Sequence, residues 1–202
     1  MGLRVDAVIF DLDGVIRTWP GDVVTEIEVE ARIPEGSIEA VAFHSAVLAD
    51  AMLGRATRRA WHADVACQLE ARFGALGRSA ADRWSRLRGS VDPAMLDLVR
   101  RIRERRPVAL LSNADRALRE ELDAAGLSRA FDAVVISAEI GIAKPDPRTF
   151  LRTARLLGRR PSACLVVDDD PVNLRAASAA GFPVHRHRSS SATRRALSEL
   201  RA

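Results

Sequence analysis

Short apolar runs rich in β-branched residues alternate along this chain with longer segments in which apolar positions recur every three or four residues. Val5 to Phe10, Pro107 to Leu111, Ala133 to Ser137, Ala163 to Val167 and Pro183 to His185 read as strands. Their near-continuous apolar character predicts burial on both faces, the habit of parallel sheets. Helical stretches separate the later strands: Arg116 to Ala125 closed by Gly126, Pro147 to Leu157 closed by Gly158, and Pro171 to Ala180 closed by Gly181. Proline opening a helix and glycine just past its end is the normal asymmetry of helix boundaries. The alternation predicts an α/β fold, a doubly wound parallel sheet.

One segment breaks the alternation. Between Arg17 and about Gly89 no strand is expected. Helical patterns lie near Val23 to Arg32, Ser37 to Leu53, Thr57 to Phe73 and Ala80 to Leu87. Gly54 ends one of these helices, and Thr57 suits the N-cap of the next. About 70 residues is long for a loop and short for an independent domain. The segment therefore reads as a small helical cap, residues 17–89, inserted after strand 1 of a core made of 1–16 and 90–202. Ser189 to Ala202 reads as a solvated terminal helix.

Composition narrows the function. At 202 residues and 48% hydrophobic content the chain can bury one good core plus a small extra unit. The net charge of +4 comes from arginines spread along amphipathic segments, which argues against a dedicated nucleic-acid groove. Cys67 and Cys164 are far apart, lack metal-ligand partners at useful spacing and read as reduced core residues. No apolar run reaches the length of a membrane span, and Met1-Gly2-Leu3-Arg4 lacks a signal-peptide core. The expectation is a cytoplasmic protein, a monomer or homodimer, with neither nucleic acid nor membrane as partner.

The chemistry gathers at strand ends. Strand 1 delivers Asp11 and Asp13, strand 2 Ser112 and Asn113, the loop after strand 3 Lys144, and strand 4 Asp168, Asp169 and Asp170. In a doubly wound sheet these ends share the edge where ligands bind. So many carboxylates call for a hard divalent cation, and oxygen ligation suits Mg²⁺. Lys144 is the one lysine among 31 basic residues, so its retention asks for a reason specific to an ammonium group. Lys144, the Ser112 hydroxyl and free N–H groups near Asn113 suit phosphoryl oxygens.

Taken in order, Asp11-x-Asp13-Gly-Val, Ser112-Asn113, Lys144-Pro145 and Asp168-Asp169 resemble the four motifs of the haloacid dehalogenase superfamily of aspartate-nucleophile hydrolases. The helical insertion resembles that family's type 1 cap, the mark of subfamily IA. The Asp-Asp pair is similar to the branch holding sugar-phosphate phosphatases such as bacterial glucose-1-phosphatase. The resemblance implies a Mg²⁺-dependent phosphomonoester hydrolase acting on a small phosphorylated metabolite such as a sugar phosphate. Asp11 would be the nucleophile that forms an aspartyl phosphate, and Asp13 the acid and base. Ser112 and Lys144 would hold the transferring group. The metal would rest on Asp11, the Asp13 backbone carbonyl and Asp169, with Asp168 as an additional partner, which leaves open the acid of the 168–170 triplet that touches it.

Asp13 favours phosphate esters over haloacids, because a halide leaves without a proton and an alkoxide does not. A phosphomutase stays open, since the aspartyl phosphate can pass to a second hydroxyl. A phosphoryl-receiving regulatory module fits less well, because such modules take the group on a middle strand and have no cap insertion. Candidates for gripping substrate are Arg17, Thr18 and Trp19 just after the catalytic loop, Asn113, and His44, Arg55 and Trp61 in the cap. Trp61 recurs with Ala56, Ala60 and Val65 at helical spacing and reads as cap core. His185 and His187 alternate with arginines and read as exposed.

Overall fold

The structure, a computed structural model, describes residues 5–19 and 21–198. The first strand, β1 (Ala7–Phe10), is followed by a two-residue strand β2 (Arg17–Thr18) and four helices, α1 (Val23–Glu30), α2 (Ser37–Ala42), α3 (Ala46–Met52) and α4 (Arg58–Trp84). The chain returns through β3 (Ser90–Val91), α5 (Pro93–Arg103), β4 (Val108–Ser112), α6 (Ala117–Ala124), β5 (Ala133–Ile136) and the short α7 (Ser137–Ile140). It ends with α8 (Pro147–Leu156), β6 (Cys164–Asp168), α9 (Pro171–Ala179), β7 (Val184–Arg186) and α10 (Ser190–Ser198).

Five parallel strands lie in the order β5-β4-β1-β6-β7. The sheet therefore grows from β1 toward β4 on one side and toward β6 on the other. Strand order reverses at β1, so a crevice opens beyond its carboxyl end. Alternate residues of β1 serve opposite faces. Val8 and Phe10 join a cluster with Met95, Val99 and Leu118 from α5 and α6, whereas Ala7 and Ile9 join Phe150 and Leu174 from α8 and α9. Burial on both faces explains why β1 reads as an unbroken apolar run.

All five expected strands are present, shifted by at most a few residues at their ends, and so are the three expected later helices. Helix α5 is an element that the expected set lacks. Its signals are Asp92, which caps the N–H groups of Ala94 and Met95, Pro93 in the first turn, and Met95, Leu98, Val99 and Ile102 on one buried stripe.

Within the insertion two boundaries differ from expectation. The Ser37 to Leu53 pattern is two helices, because Ser45 starts a new one by accepting a hydrogen bond from the Val47 N–H. The patterns near Thr57 to Phe73 and Ala80 to Leu87 lie in one element, α4, kinked at Gly74 (φ 63°, ψ −149°). Thr57 does cap it, through the Ala60 N–H. The expected absence of a strand from Arg17 onward is also corrected: Arg17 pairs with Val91 and Thr18 with Ser90, antiparallel, where the chain leaves and re-enters the sheet. Ile27, Ile38, Val41, Val65, Leu69 and Ala80 form a cluster of their own in this segment, with Trp61 and Trp84 packed against it edge to face, centroids 5.3 Å apart.

Three further expectations are corrected. Cys67 is exposed on α4 while Cys164 is buried in β6, and both thiols are free. His185 and His187 are partly buried, each hydrogen-bonded to the Thr193 hydroxyl at 3.1 and 3.0 Å. Helix α10 is not simply solvated, because Thr193 and Leu197 are buried. Met1 to Arg4 and the last four residues of the terminal stretch lie outside the described residues. Among the described residues no helix is long and apolar enough to cross a membrane.

Candidate active site

Asp11 follows β1 directly, and its backbone N–H donates to the Val167 carbonyl of the neighbouring strand β6. One side-chain oxygen, Oδ1, accepts the Leu12 N–H at 2.7 Å, which aims the carboxylate across the strand ends. Oδ2 meets Lys144 Nζ at 2.9 Å, and the same ammonium donates to Asp168 Oδ2 at 2.7 Å. Lys144, 6% exposed, thus sits between two carboxylates supplied by different strands. Burial alone would lower its pKa, but Asp11 and Asp168 outweigh that and hold it above the ordinary lysine value. Burial pushes Asp11 in the other direction, above the usual carboxylate range, with the Asp168 charge adding to it and Lys144 opposing it.

A second set of contacts holds Lys144 from behind. The Asn113 side-chain amide donates to the Lys144 carbonyl and accepts its N–H, both at 2.8 Å. Both ends of the Asn113 amide are thus engaged with the loop that carries Lys144. Helix α6 begins four residues beyond Asn113, and the Ala114 N–H donates to Ser137 Oγ at 3.0 Å. Ser112 is buried at the end of β4, the strand beside β1.

The acidic triplet after β6 divides its labour. Asp168 is 1% exposed and accepts from Lys144, from the Asn173 amide at 3.2 Å on each oxygen, and from the Asp170 N–H. Asp170 caps α9 through the Val172 N–H. Asp169 lies between them, its carboxyl raised by burial and by the Asp168 charge. It approaches Gly14 so closely that a Cβ there would stand 2.2 Å from Asp169 Oδ2, and Gly14 has φ +82°. The glycine of the first motif is thus required twice, by its backbone conformation and by the fourth motif's carboxylate.

Asp11, Asp168 and Asp169 each bring one carboxylate oxygen within 4.8 Å of the other two. Three hard oxygen donors at the sheet edge are a set that Mg²⁺ accepts. The Asp13 carboxylate belongs to a separate cluster. Arg17 donates to it from Nε at 2.6 Å and from Nη2 at 2.8 Å, and Trp19 donates from Nε1 at 2.8 Å. Arg17 and Trp19 are therefore beside the site, with their polar groups turned on Asp13. Sequence reading missed what stands behind them: Arg17 Nη1 lies 3.5 Å from Glu121 of α6, and Arg58 of α4 donates to both Glu121 and Asp115. These partners are more than fifty residues apart in the chain for Arg58, so no local pattern announces them. His44, Arg55 and Trp61 lie away from this group: His44 is exposed over the Ala40 carbonyl, Arg55 pairs with Asp50, and Trp61 donates to the Ala42 carbonyl.

Solved structures with this fold include a predicted HAD-like family hydrolase from Porphyromonas gingivalis (TM-score 0.71, 22% identity, 96% of this chain and 98% of that one). Another is a HAD family enzyme from Bacteroides thetaiotaomicron in complex with magnesium and inorganic phosphate (TM-score 0.69, 19% identity, 91% and 94%). In sequence, the chain is 39% identical over 100 residues to fructose-1-phosphate phosphatase YqaB of Escherichia coli strain K12, a match covering 48% of this chain and 53% of that protein. The match thus spans about half the length of that relative. The haloacid dehalogenase-like hydrolase family matches residues 5–181, a stretch that runs from β1 to the end of α9 and includes every strand-end residue described above, and the chain belongs to that family.

Proposed function

We propose that this protein is a phosphomonoester hydrolase that acts on a small phosphorylated metabolite through an aspartyl phosphate on Asp11, with residues 17–89 as a cap over the site. The observation that carries the reading is the placement of one buried ammonium, Lys144, against both Asp11 and Asp168, 2.9 and 2.7 Å away, at the switch point of the sheet. That ammonium neutralises carboxylates so that a dianionic ester can approach.

Asp11 Oδ attacks phosphorus in line, and the bond from phosphorus to the ester oxygen breaks. Asp13, carrying a proton, gives it to the departing oxygen, and the alcohol leaves. In the second step water attacks the same phosphorus, Asp13 takes the proton from that water, and the bond to Asp11 breaks to release phosphate. Lys144 and Ser112 hold the phosphoryl oxygens through both steps. Asp11 and Asp169 would hold Mg²⁺, and Asp168, already engaged by Lys144 and Asn173, would orient the pair. Bound Mg²⁺ would supply positive charge to the phosphoryl group as negative charge shifts onto it. The magnesium and phosphate of the Bacteroides thetaiotaomicron enzyme and the phosphatase names among the relatives support this reading.

Steady release of phosphate from p-nitrophenyl phosphate with Mg²⁺ is expected, and Asp11→Asn should lower kcat by about 10³-fold or more. Stoichiometric labelling without release would instead mark a phosphoryl-receiving module. Transfer of the label to a second sugar hydroxyl in place of water would mark a mutase.

A further inference from the structure

Trp19 is 49% exposed, yet its position is fixed from three sides. Its backbone follows β2 directly, where Arg17 and Thr18 pair with Val91 and Ser90. Its Nε1 donates to Asp13 Oδ1 at 2.8 Å. One face of the ring lies under the Arg17 guanidinium, 5.1 Å from the centroid. That guanidinium is itself held, by its fork on both Asp13 oxygens and by a stem packed on Gly89, where a Cβ would stand 2.7 Å from Arg17 Cγ. The exposed area therefore belongs to the opposite face and the outer edge of the indole. A lone exposed aromatic needs no explanation. A ring whose N–H and one face are both committed to the catalytic loop is a different case, because its angle is set before any ligand arrives and stacking on it orders little further.

We propose that the open face of Trp19 is a stacking platform for the departing alcohol, and that the preferred substrates are phosphate esters whose alcohol carries a planar aromatic or heteroaromatic ring. This rests on the phosphatase reading: with Asp11 as nucleophile and Asp13 beside the departing oxygen, a ring bonded to Asp13 stands on the leaving-group side of phosphorus. The choice of a planar partner over a saturated one follows from Arg17. Its cation draws π density toward the face it covers, which makes the open face a poorer partner for the polarised C–H groups of a saturated ring. A second π system, stacked with an offset, gains from the same polarisation. Trp19 supplies the contact area, and Arg17 with Asp13 sets its angle.

The test is a ratio measured on the full chain with Mg²⁺: kcat/KM for 2-phenylethyl phosphate over kcat/KM for 2-cyclohexylethyl phosphate. The two alcohols leave with nearly equal ease and are similar in size, so the ratio reads ring shape and π character alone. Stacking predicts a wild-type ratio of about fivefold or more. The difference should lie in KM, because the ring contact is the same before and during phosphoryl transfer. Trp19→Phe keeps a ring and should keep most of the preference, whereas Trp19→Leu keeps apolar bulk and should bring the ratio close to one. Both variants lose the Nε1 hydrogen bond, so a Trp19 that merely positions Asp13 would slow both esters alike and leave the ratio standing. A wild-type ratio near one, or a preference that survives in Trp19→Leu, overturns the proposal. Absence of phosphate release from every ester, p-nitrophenyl phosphate included, would sink the phosphatase reading and the proposal with it, a result distinct from equal turnover of the two ring esters.

Discussion

The carboxyl edge of the sheet and the helical insertion that follows β1 are built on opposite plans. At the edge a pair of opposite charges is buried: Lys144 and Asp168 are 6% and 1% exposed and bonded to one another. In the insertion the interior is apolar, and ion pairs such as Arg55 with Asp50 lie in solvent. The insertion meets the rest of the chain at the Gly54 backbone, pressed toward the Ala138 carbonyl, through Arg58 on Asp115 and Glu121, and through Arg17 on Asp13. Groups that share a buried charge pair are fixed by several partners, whereas exposed ion pairs fix little.

Lys144→Ala attacks the edge where its plan is most exposed to failure. It leaves two buried carboxylates facing one another, and breaking a buried ion pair from one side costs about 3–5 kcal/mol. Denaturant unfolding should show this loss, and Mg²⁺ should restore stability more in the variant than in the wild type, because a bound cation replaces the missing charge. Equal stabilisation of both proteins by Mg²⁺ would refute that account. Leu69→Ala attacks the other region. Leu69 is fully buried in the insertion's own cluster, and truncation there should cost about 2–5 kcal/mol. Hydrogen exchange should place the loss in α1 to α4 and leave β1, β4 and β6 protected. Uniform loss through the sheet would show that the two regions unfold as one.

The same contrast explains what was legible in the sequence. Strands buried on both faces announce themselves as apolar runs, and residues just past them fall on one edge by topology, so Asp11, Lys144 and Asp168 could be brought together without coordinates. An amide after a strand end reads the same whether it faces substrate or clamps a neighbouring backbone, so the hold of Asn113 on the Lys144 loop is not legible in the sequence. The insertion was legible as helices but not in its breaks. Gly74 sits within helical pattern on both sides, and Ser45 starts a helix inside a stretch whose periodicity continues across it. Arg17 shows the deepest reason. Its ties to Asp13 and Trp19 are local, but its support by Glu121 spans more than one hundred residues, and only folding brings them together.

Gly14→Ala sharpens the comparison at a smaller scale, since it asks how tightly the edge is fixed. The backbone at φ +82° resists any side chain, and the added Cβ would displace Asp169. A cost of about 1–3 kcal/mol is expected from the backbone alone. Calorimetric titration with Mg²⁺ should show weaker binding, whereas the helices of the insertion should keep their exchange protection. Unaltered Mg²⁺ affinity would mean that Asp169 has room to move and that the edge is looser than its contacts indicate.

The smallest effect is expected where the two regions join. Arg58→Ala removes the cation shared by Asp115, whose side chain is 5% exposed, and Glu121, whose side chain is 37% exposed. Hydrogen bonds between charged groups contribute about 1.5–3 kcal/mol, and the lower end applies because Glu121 can turn to solvent and take a closer hold of Arg17. Arg55→Ala is the control: it removes an ion pair exposed on both sides, within the same segment, and should leave stability unchanged within error. If Arg58→Ala behaves like that control, the insertion is held by apolar packing and Gly54 alone. If it loosens the first turn of α4 in hydrogen exchange while the sheet stays protected, the charge chain from Arg58 to Asp13 is a mechanical link between two otherwise separate plans.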